Sequence, residues 1–159
     1  MSKIYFHPDI DYQGVRDIEK KYNSTDKNYL INKASDAICN KLQQLLKKTD
    51  NSLFICGPGS NGLDALFTAY KLLNQKYNIS IFFTQENIHL EYINKYNLTD
   101  SIVNKYDTNN DYNFIIDGIF GYGLNRNLSK KYIDLINSIN KSSSIIISLD
   151  LPSGLNHIN

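Results

Sequence analysis

The sequence predicts one α/β domain whose largely parallel sheet is covered by helices on both faces. Short apolar runs typical of buried strands alternate with longer segments in which apolar residues recur at helical spacing. The 159 residues correspond to one ordinary domain, and the chain contains no internal repeat and no interdomain linker. This alternation is the pattern of strands joined through helices, which pack against the faces of the sheet.

The first half of the chain predicts two helices and two strands. Apolar residues at helical spacing, with lysines at the C-terminal end, predict a helix over Tyr29–Lys48. The run SLFIC predicts a buried strand over Ser52–Cys56, and helical spacing returns over Gly62–Lys76. The run ISIFF predicts a second strand over Ile79–Phe83. Strand, turn and helix therefore follow one another around the glycines after Cys56.

The second half continues the alternation. A helix is predicted over Ile88–Tyr96, a short strand at Ile102–Val103, and a polar surface loop over Asn104–Asn113. The later elements are a strand over Asn113–Asp117, a helix over Ser129–Asn140 with Ser129 as its N-cap, and a strand over Ser144–Asp150. In open parallel sheets, ligands bind beyond the carboxyl ends of the strands. We therefore expect the loops after Cys56, Asp117 and Asp150 to line one crevice.

Composition excludes several partners. With 17 basic and 16 acidic side chains, the formal net charge of +1 gives no electrostatic footprint for nucleic acid. No apolar run approaches the length of a membrane span, and no basic-then-apolar leader opens the chain. The two cysteines, Cys39 and Cys56, form neither a CxxC pair nor a disulfide framework. We therefore expect a cytoplasmic protein with no nucleic-acid or membrane partner.

The first loop, GPGSNGLDAL, places Gly57, Gly59 and Gly62 between a strand and a helix. Backbone N–H groups at such a helix start favour an anion such as a phosphate. A dinucleotide fingerprint also has an acidic residue after the second strand, and Glu86 is an imperfect candidate. Asp64 is unexplained by that fingerprint, and it is equally consistent with a surface aspartate that complements the helix dipole.

The second and third loops each follow an aspartate at the end of a predicted strand. In the loop DGIFGYGLNRN, Asp117 is followed by Gly121 and Gly123. These two glycines, with Asn125 and Arg126, suggest a backbone that closes over a ligand and a cation that meets a phosphate. A plain turn with a solvated Arg126 is the alternative. The loop SLDLPSGLN places Asp150 at the lip of a buried strand, where partial desolvation favours proton exchange. Ser153 does not lie in the GxSxG pattern of serine hydrolases, which argues against a hydrolase triad. The chain has no Trp to stack on a sugar, which argues against a glycoside hydrolase.

Together the segments GPGSNGLDAL, DGIFGYGLNR and SLDLPSGLN, in this order at successive strand ends, resemble the YjeF N-terminal domain family, the NAD(P)H-hydrate epimerases. The resemblance covers about Leu30 to Leu155. It implies a Rossmann-like three-layer α/β/α fold for residues 1–159 as a single domain, with a C-terminally shortened form or part of a longer bifunctional protein left open. It also implies interconversion of the R and S forms of NADHX and NADPHX, so that a stereospecific dehydratase can restore the cofactor.

The resemblance assigns roles to individual residues. Asp150 would be the catalytic acid/base, while Asn61, Asp117 and Ser153 would hold a potassium ion, a hard cation that prefers oxygen ligands. The contacts with the hydrated dinucleotide would be Ser60, Asn61, Gly62, Leu63, Asp64, Gly121, Tyr122, Gly123, Leu124, Asn125, Arg126, Asn127 and Asp150. Relatives are commonly homodimers, and an NAD(P)HX dehydratase is the implied functional partner.

Several positions depart from the family pattern. Ser60 replaces an Asn, and Leu63 and Ala65 replace glycines in the first loop; upstream, Asn32 and Ser35 replace a Glu and a Gly. A non-catalytic binding or scaffold domain of the same fold is therefore the alternative function. A simple NAD-dependent dehydrogenase is a third interpretation, for which the chain offers no catalytic constellation.

Overall fold

The computed structural model describes Gly14, Asp17 and residues 28–107 and 110–155. The helices, numbered within these residues, are α1 (Tyr29–Leu42), α2 (Ser60–Asn74), α3 (Leu90–Lys95) and α4 (Lys130–Lys141). The strands are β1 (Ser52–Cys56), β2 (Ile79–Phe83), β3 (Ile102–Val103), β4 (Phe114–Gly118) and β5 (Ile145–Ser148), with a 3₁₀ turn at Thr99–Ser101. All strand pairs are parallel, in the order β3-β2-β1-β4-β5. The predicted α/β class is confirmed.

Strand β1 lies at the centre of the sheet and is buried along its whole length. Because side chains alternate across a strand, Phe54 and Cys56 belong to one core and Leu53 and Ile55 to another. The first core includes residues of α1 and α2, and the second includes Tyr132 and other residues of α4. Helices therefore cover both faces of the sheet, as the alternating sequence pattern predicts.

Two helix boundaries differ from the sequence prediction for identifiable reasons. Helix α1 ends at Leu42, before the predicted Lys48, because the chain turns there and the Leu45 N–H bonds the Leu42 carbonyl at 2.9 Å. Leu46 is nevertheless buried, so its apolar character extended the helical pattern into a turn. Helix α3 begins at Leu90 because His89 has a left-handed φ of 56°, which cannot continue a right-handed helix.

Two further boundaries shift by smaller amounts, and one is as predicted. Helix α2 begins at Ser60, so part of the predicted glycine-rich turn is its first turn. Ser129 is at the N-cap position of α4, as predicted, but its side chain makes no capping hydrogen bond. Strand β5 ends at Ser148, and Asp150 therefore lies in the loop beyond the strand. Within the part of the chain that the structure describes, no helix is long and apolar enough to cross a bilayer.

Candidate functional site

The loops after β1 and β4 pack against each other at the carboxyl edge of the sheet. The Gly57 N–H donates to the Gly118 carbonyl at 3.0 Å. A Cβ on Gly57 would lie 1.9 Å from the carbonyl oxygen of Ile119, and a Cβ on Gly62 would lie 1.8 Å from that of Gly57. Both contacts are with backbone, which cannot move aside easily. Glycine is therefore required at Gly57 to bring the two loops together, and at Gly62 to let α2 approach the start of the first loop.

Two other glycines border open space. A Cβ on Gly59 or on Gly123 would meet no atom within 4 Å. Gly59 is also the N-cap of the 15-residue helix α2, and it has no side chain to make a capping hydrogen bond. An uncapped helix start presents backbone N–H groups and the positive end of the helix dipole. The start of α2 is therefore accessible, which is the geometry that the predicted phosphate contact needs; the contact itself stays a prediction.

Asp117 joins the ends of β4 and β5. The residue is buried, with 5% of its surface exposed. Its Oδ1 accepts hydrogen bonds from the Ile119 N–H at 3.1 Å and the Ser153 hydroxyl at 2.7 Å. Its Oδ2 accepts from the Ser148 hydroxyl at 3.1 Å and the Ser153 N–H at 2.9 Å. The carboxylate therefore holds the turn after β5 against the end of β4.

Asp150 contacts the second glycine-rich loop through its side chain. Its backbone is left-handed, with φ of 63°, and its Oδ2 accepts a hydrogen bond from the Tyr122 N–H at 2.7 Å. A Cβ on Gly121 would lie 2.3 Å from this oxygen, so only glycine permits the approach. Asp150 is exposed, contrary to the expected partial desolvation, because it lies two residues beyond β5. The described chain thus orients this carboxylate without burying it.

Asn61 reaches from α2 to the end of β5. Its Nδ2 donates to the Leu149 carbonyl at 3.3 Å, beside Asp150 in the chain. The Ser153 hydroxyl oxygen also accepts from the Phe120 N–H at 3.0 Å, which ties the second loop to the third. The structure therefore brings the three loops to one edge, and Asp117 and Ser153 are in direct contact. The position of Asn61 is fixed separately, through Leu149.

The oxygen donors at this edge suit a potassium ion in their chemistry. They are an amide oxygen of Asn61, a carboxylate of Asp117 and a hydroxyl of Ser153. The four hydrogen bonds to Asp117 occupy the acceptor positions of its carboxylate. An ion would therefore require the Ser153 hydroxyl to turn its proton away from Asp117. Among the described residues, no group of three His, Cys, Asp or Glu side chains could hold a metal ion.

Apart from Asp150, the predicted dinucleotide contacts fall into two groups. Ser60, Asn61, Gly62, Leu63 and Asp64 form the first turn of α2, and Gly121, Tyr122, Gly123, Leu124, Asn125, Arg126 and Asn127 lie between β4 and α4. Arg126 is exposed and forms no ion pair with the described residues, so its guanidinium is accessible to a phosphate. Leu63 is half-buried, whereas Gly62 and Ala65 beside it are buried. Leu63 therefore lies outside the two core clusters.

Two contributors to this edge carry no signal in the sequence. Ser148 bonds Asp117 because the register of β4 and β5 pairs these two residues. His89 approaches Gly57 across 32 positions, with 2.9 Å between its Nε2 and the Gly57 carbonyl. His7 and His157 lie outside the described residues. Strand register and loop proximity are set by the fold, so residue type and spacing alone do not predict these contacts.

Cys56 ends β1 immediately before the first loop, but it is not a nucleophile. Its side chain is completely buried, and burial raises the pKa of its thiol well above the ordinary value. The thiol therefore stays protonated near neutral pH, whereas the thiolate is the reactive form. Asp150, in contrast, is exposed, and its carboxylate is held against the second loop by the Tyr122 N–H.

Comparisons with known proteins agree with this architecture. Residues 27–159 match the family described as YjeF-related protein N-terminus. A crystal structure of yeast ynu0, YNL200c, superposes with a TM-score of 0.67 at 20% identity and covers 89% of this chain and 69% of the yeast chain. At this identity the likeness concerns the fold alone.

Curated proteins also align with the chain. The NAD(P)H-hydrate epimerase of Plasmodium knowlesi (strain H) is 32% identical over 110 residues, which are 65% of this chain and 38% of that protein. The bifunctional NAD(P)H-hydrate repair enzyme Nnr of Thermosynechococcus vestitus is 32% identical over 107 residues, 64% of this chain and 21% of that protein. The chain thus spans less than half the length of these two relatives.

Proposed function

The chain belongs to the YjeF-related protein N-terminus family, which matches residues 27–159, and on this premise we propose that it is an NAD(P)H-hydrate epimerase. The observation that carries the proposal is the position of Asp150. Its carboxylate follows the end of β5 and accepts the Tyr122 N–H of the second glycine-rich loop, which follows β4. A left-handed non-glycine residue at a ligand edge stores strain of the kind found at functional sites.

The reaction needs one group that both moves a proton and stabilises positive charge. Loss of the C6 hydroxyl from the hydrated nicotinamide ring leaves a cation conjugated with the ring nitrogen, and water then adds to either face. Asp150 donates a proton to the departing hydroxyl, stabilises the cation as a carboxylate, and accepts a proton from the water that adds. Only Oδ2 of Asp150 accepts a hydrogen bond from the described chain, so Oδ1 is the proposed proton-transfer atom.

The two glycine-rich loops supply the binding contacts in this proposal. The uncapped start of α2 would meet a phosphate of NADHX or NADPHX, with Gly59 leaving room for it. The exposed Arg126 would pair with the second phosphate. A potassium ion held by Asn61, Asp117 and Ser153 would add positive charge next to these anionic groups. Binding energy from the phosphates would then position the ring at Asp150.

A binding or scaffold domain of the same fold is the alternative function. It is favoured by Leu63 and Ala65, which stand where the resembled loop carries glycines. Leu63 is half-buried, and its side chain, where the resembled loop has none, would narrow the approach of a ligand. Retention of Asp150 against the second loop favours the enzyme, since a scaffold does not need an oriented carboxylate at this edge.

Asp150→Asn tests the proposed catalysis. Asn tolerates a left-handed backbone, and its side-chain oxygen can still accept the Tyr122 N–H, so the loop should keep its place. We expect the rate of R-to-S exchange of hydrated NADH to fall by about 100-fold or more, since general acid/base groups contribute about 10² to 10⁴. Exchange is followed by chiral chromatography, and binding of the hydrated NADH by calorimetry.

Asp100→Asn is the matched control, because Asp100 is an exposed aspartate in the 3₁₀ turn away from these loops. It should exchange the epimers at the rate of the unchanged chain. Undiminished exchange in Asp150→Asn would remove Asp150 from the mechanism. If the unchanged chain binds hydrated NADH but does not accelerate exchange above the uncatalysed rate, the binding-domain alternative is correct.

The potassium site has its own test. The melting temperature and the exchange rate are measured in potassium chloride and in choline chloride at equal ionic strength. An ion bound only to the folded chain stabilises it, so we expect a higher melting temperature in potassium, and a smaller increase in Ser153→Ala. Equal melting temperatures in both salts would mean that Asp117 and Ser153 serve as a structural cross-link without an ion.

Partners and compartment are further parts of this proposal. A homodimer, which light scattering of the purified chain would test, is expected from the resemblance. A functional link to an NAD(P)HX dehydratase is supported by the alignment with a bifunctional repair enzyme, and a coupled assay that regenerates NADH would test it. A cytoplasmic location is supported by two buried free cysteines and can be checked by imaging the tagged chain.

A further inference from the structure

His89 connects the loop after β2 with the first glycine-rich loop. Its Nε2 lies 2.9 Å from the Gly57 carbonyl oxygen. A carbonyl oxygen only accepts hydrogen bonds, so Nε2 carries the proton and donates it. His89 is half-buried, and its own carbonyl accepts from the Tyr92 N–H at 3.0 Å and the Ile93 N–H at 3.1 Å. The residue is therefore anchored to the start of α3 by its backbone and to Gly57 by its ring.

The backbone of His89 is held in an unfavourable conformation. Its φ of 56° is left-handed, which is uncommon for a residue other than glycine, although Asn, Asp and His are enriched among such residues. Asn87, two positions earlier, is also left-handed, with φ of 58°. The loop between β2 and α3 thus makes two unusual turns, after which the imidazole faces the first loop.

The Gly57 carbonyl is the point where the first loop leaves the sheet. The Gly57 N–H is bonded to Gly118, and a Cβ on Gly62 would lie 1.8 Å from the Gly57 oxygen. The His89 ring bonds the same oxygen. The peptide before Gly57 is therefore held by Gly118, and the carbonyl of the peptide between Gly57 and Pro58 is held by His89 and packed against Gly62. The next glycine, Gly59, borders open space at the uncapped start of α2.

We propose that His89 is a positioning residue for the phosphate-binding start of α2. By bonding the Gly57 carbonyl, it fixes the peptide plane from which the chain continues through Pro58 to Gly59. Its effect on ligand binding rests on the proposed epimerase function, whereas its effect on the loop does not. This assignment gives His89 no role in proton transfer, because its Nε2–H donates to the backbone of the first loop.

Two substitutions separate the hydrogen bond from the backbone conformation. His89→Asn keeps a residue that tolerates the left-handed region, but its side chain is too short to reach Gly57. His89→Gln places an amide donor near the position of Nε2. Asn87→Gln is the matched control, because it puts the same side chain at a left-handed position of the same loop. Asn87 is exposed.

The first measurement is amide hydrogen exchange over residues 57–63 in the ligand-free chain. We expect exchange about 2- to 10-fold faster in His89→Asn, and close to that of the unchanged chain in His89→Gln and Asn87→Gln. This range corresponds to the loss of one hydrogen bond with a net contribution of about 0.5–1.5 kcal/mol. Unchanged exchange in His89→Asn would overturn the proposal, even if the epimerase assay succeeds.

The second measurement is the kinetics of epimer exchange with hydrated NADH. His89→Asn should raise KM about 2- to 10-fold and leave kcat nearly unchanged, and His89→Gln should restore KM. A fall in kcat alone, or no rescue by Gln, would contradict a positioning role at the phosphates. If the unchanged chain shows no epimerase activity, the proposed function fails, but amide exchange still decides the role of His89 in the loop.

Discussion

Gly121 shows how a missing side chain positions a functional group. Its hypothetical Cβ would lie 2.3 Å from Asp150 Oδ2, while that of Gly123 would meet nothing within 4 Å. The atom in conflict at Gly121 is the end of an exposed side chain, which can rotate away. The conflict at Gly57 is instead with the backbone of Ile119, which cannot. Glycines of the two loops therefore serve different purposes: some permit packing, and Gly121 permits a hydrogen bond.

Gly121→Ala should reduce activity more than stability. The added methyl group displaces the Asp150 carboxylate and removes its hydrogen bond from the Tyr122 N–H. A hydrogen bond to a charged group contributes about 1.5–3 kcal/mol, so we expect kcat/KM for epimer exchange to fall by about 10- to 100-fold, with a melting temperature within a few degrees of the unchanged chain. Enzyme kinetics and a thermal melt provide both values.

Gly123→Ala is the matched control for this experiment. It lies in the same loop and faces open space, so the ligand-free chain should be as stable as the unchanged one. Full activity in Gly121→Ala would mean that the orientation of Asp150 is unimportant for the reaction. A loss of ligand affinity in Gly123→Ala, without a loss of stability, would indicate that the bound dinucleotide uses the space beside Gly123.

At the scale of elements, the Asp117 carboxylate holds β4, β5 and the following turn together. It accepts hydrogen bonds from Ile119, Ser148 and Ser153, so one side chain satisfies donors from three segments. Parallel strands need their carboxyl ends fixed by such contacts, because the loops that leave them have no regular backbone pairing. The geometry of the candidate site therefore depends on a residue that is itself almost fully buried.

Asp117→Asn should destabilise this edge. One carboxylate oxygen becomes an NH₂ group, which cannot accept a hydrogen bond. The two hydrogen bonds that this oxygen accepts in the unchanged chain are therefore lost. We expect a loss of about 3 kcal/mol in the free energy of unfolding, measured with urea. Ser148→Ala removes a single hydrogen bond at 3.1 Å and should cost about 1 kcal/mol. Equal stability of Asp117→Asn and the unchanged chain would contradict the cross-link.

At the scale of the whole molecule, one core connects the two free cysteines. Cys39 lies on α1 and Cys56 on β1, and both belong to the core cluster between these elements and α2. Burial raises the pKa of both thiols; for Cys39 the nearby Lys71 ammonium partly offsets this effect. The thiolate is the reactive form, so both cysteines should resist alkylation until the core opens.

Pulsed thiol alkylation tests whether the molecule opens as one unit. If unfolding is cooperative, Cys39 and Cys56 should be alkylated with the same dependence on urea, as peptide mass spectrometry would report. The urea dependence of alkylation at one cysteine is the control for that at the other, since both are measured in the same sample. Rapid alkylation of Cys39 in the absence of urea, while Cys56 stays protected, would show that α1 detaches separately from the sheet.

Much of the fold was predictable because its signals are local. Apolar periodicity identified the alternating strands and helices, although helix α2 begins two residues before the predicted Gly62. The boundaries were less predictable where a buried residue lies beyond a helix end, as Leu46 does, or where a backbone turns left-handed, as at His89. Those positions depend on packing with distant residues, which the local pattern does not contain.

The sequence by itself determined the α/β class and the order of the three loops, because both follow from periodicity and residue type. Only the tertiary structure decided that Asp117 bonds Ser148 and Ser153, that Asp150 is exposed against Tyr122, and that His89 reaches Gly57. The physical reason is that a parallel sheet brings together strand ends that are far apart in the chain. Strand register and loop conformation then set which side chains meet, through distances that no spacing along the sequence specifies.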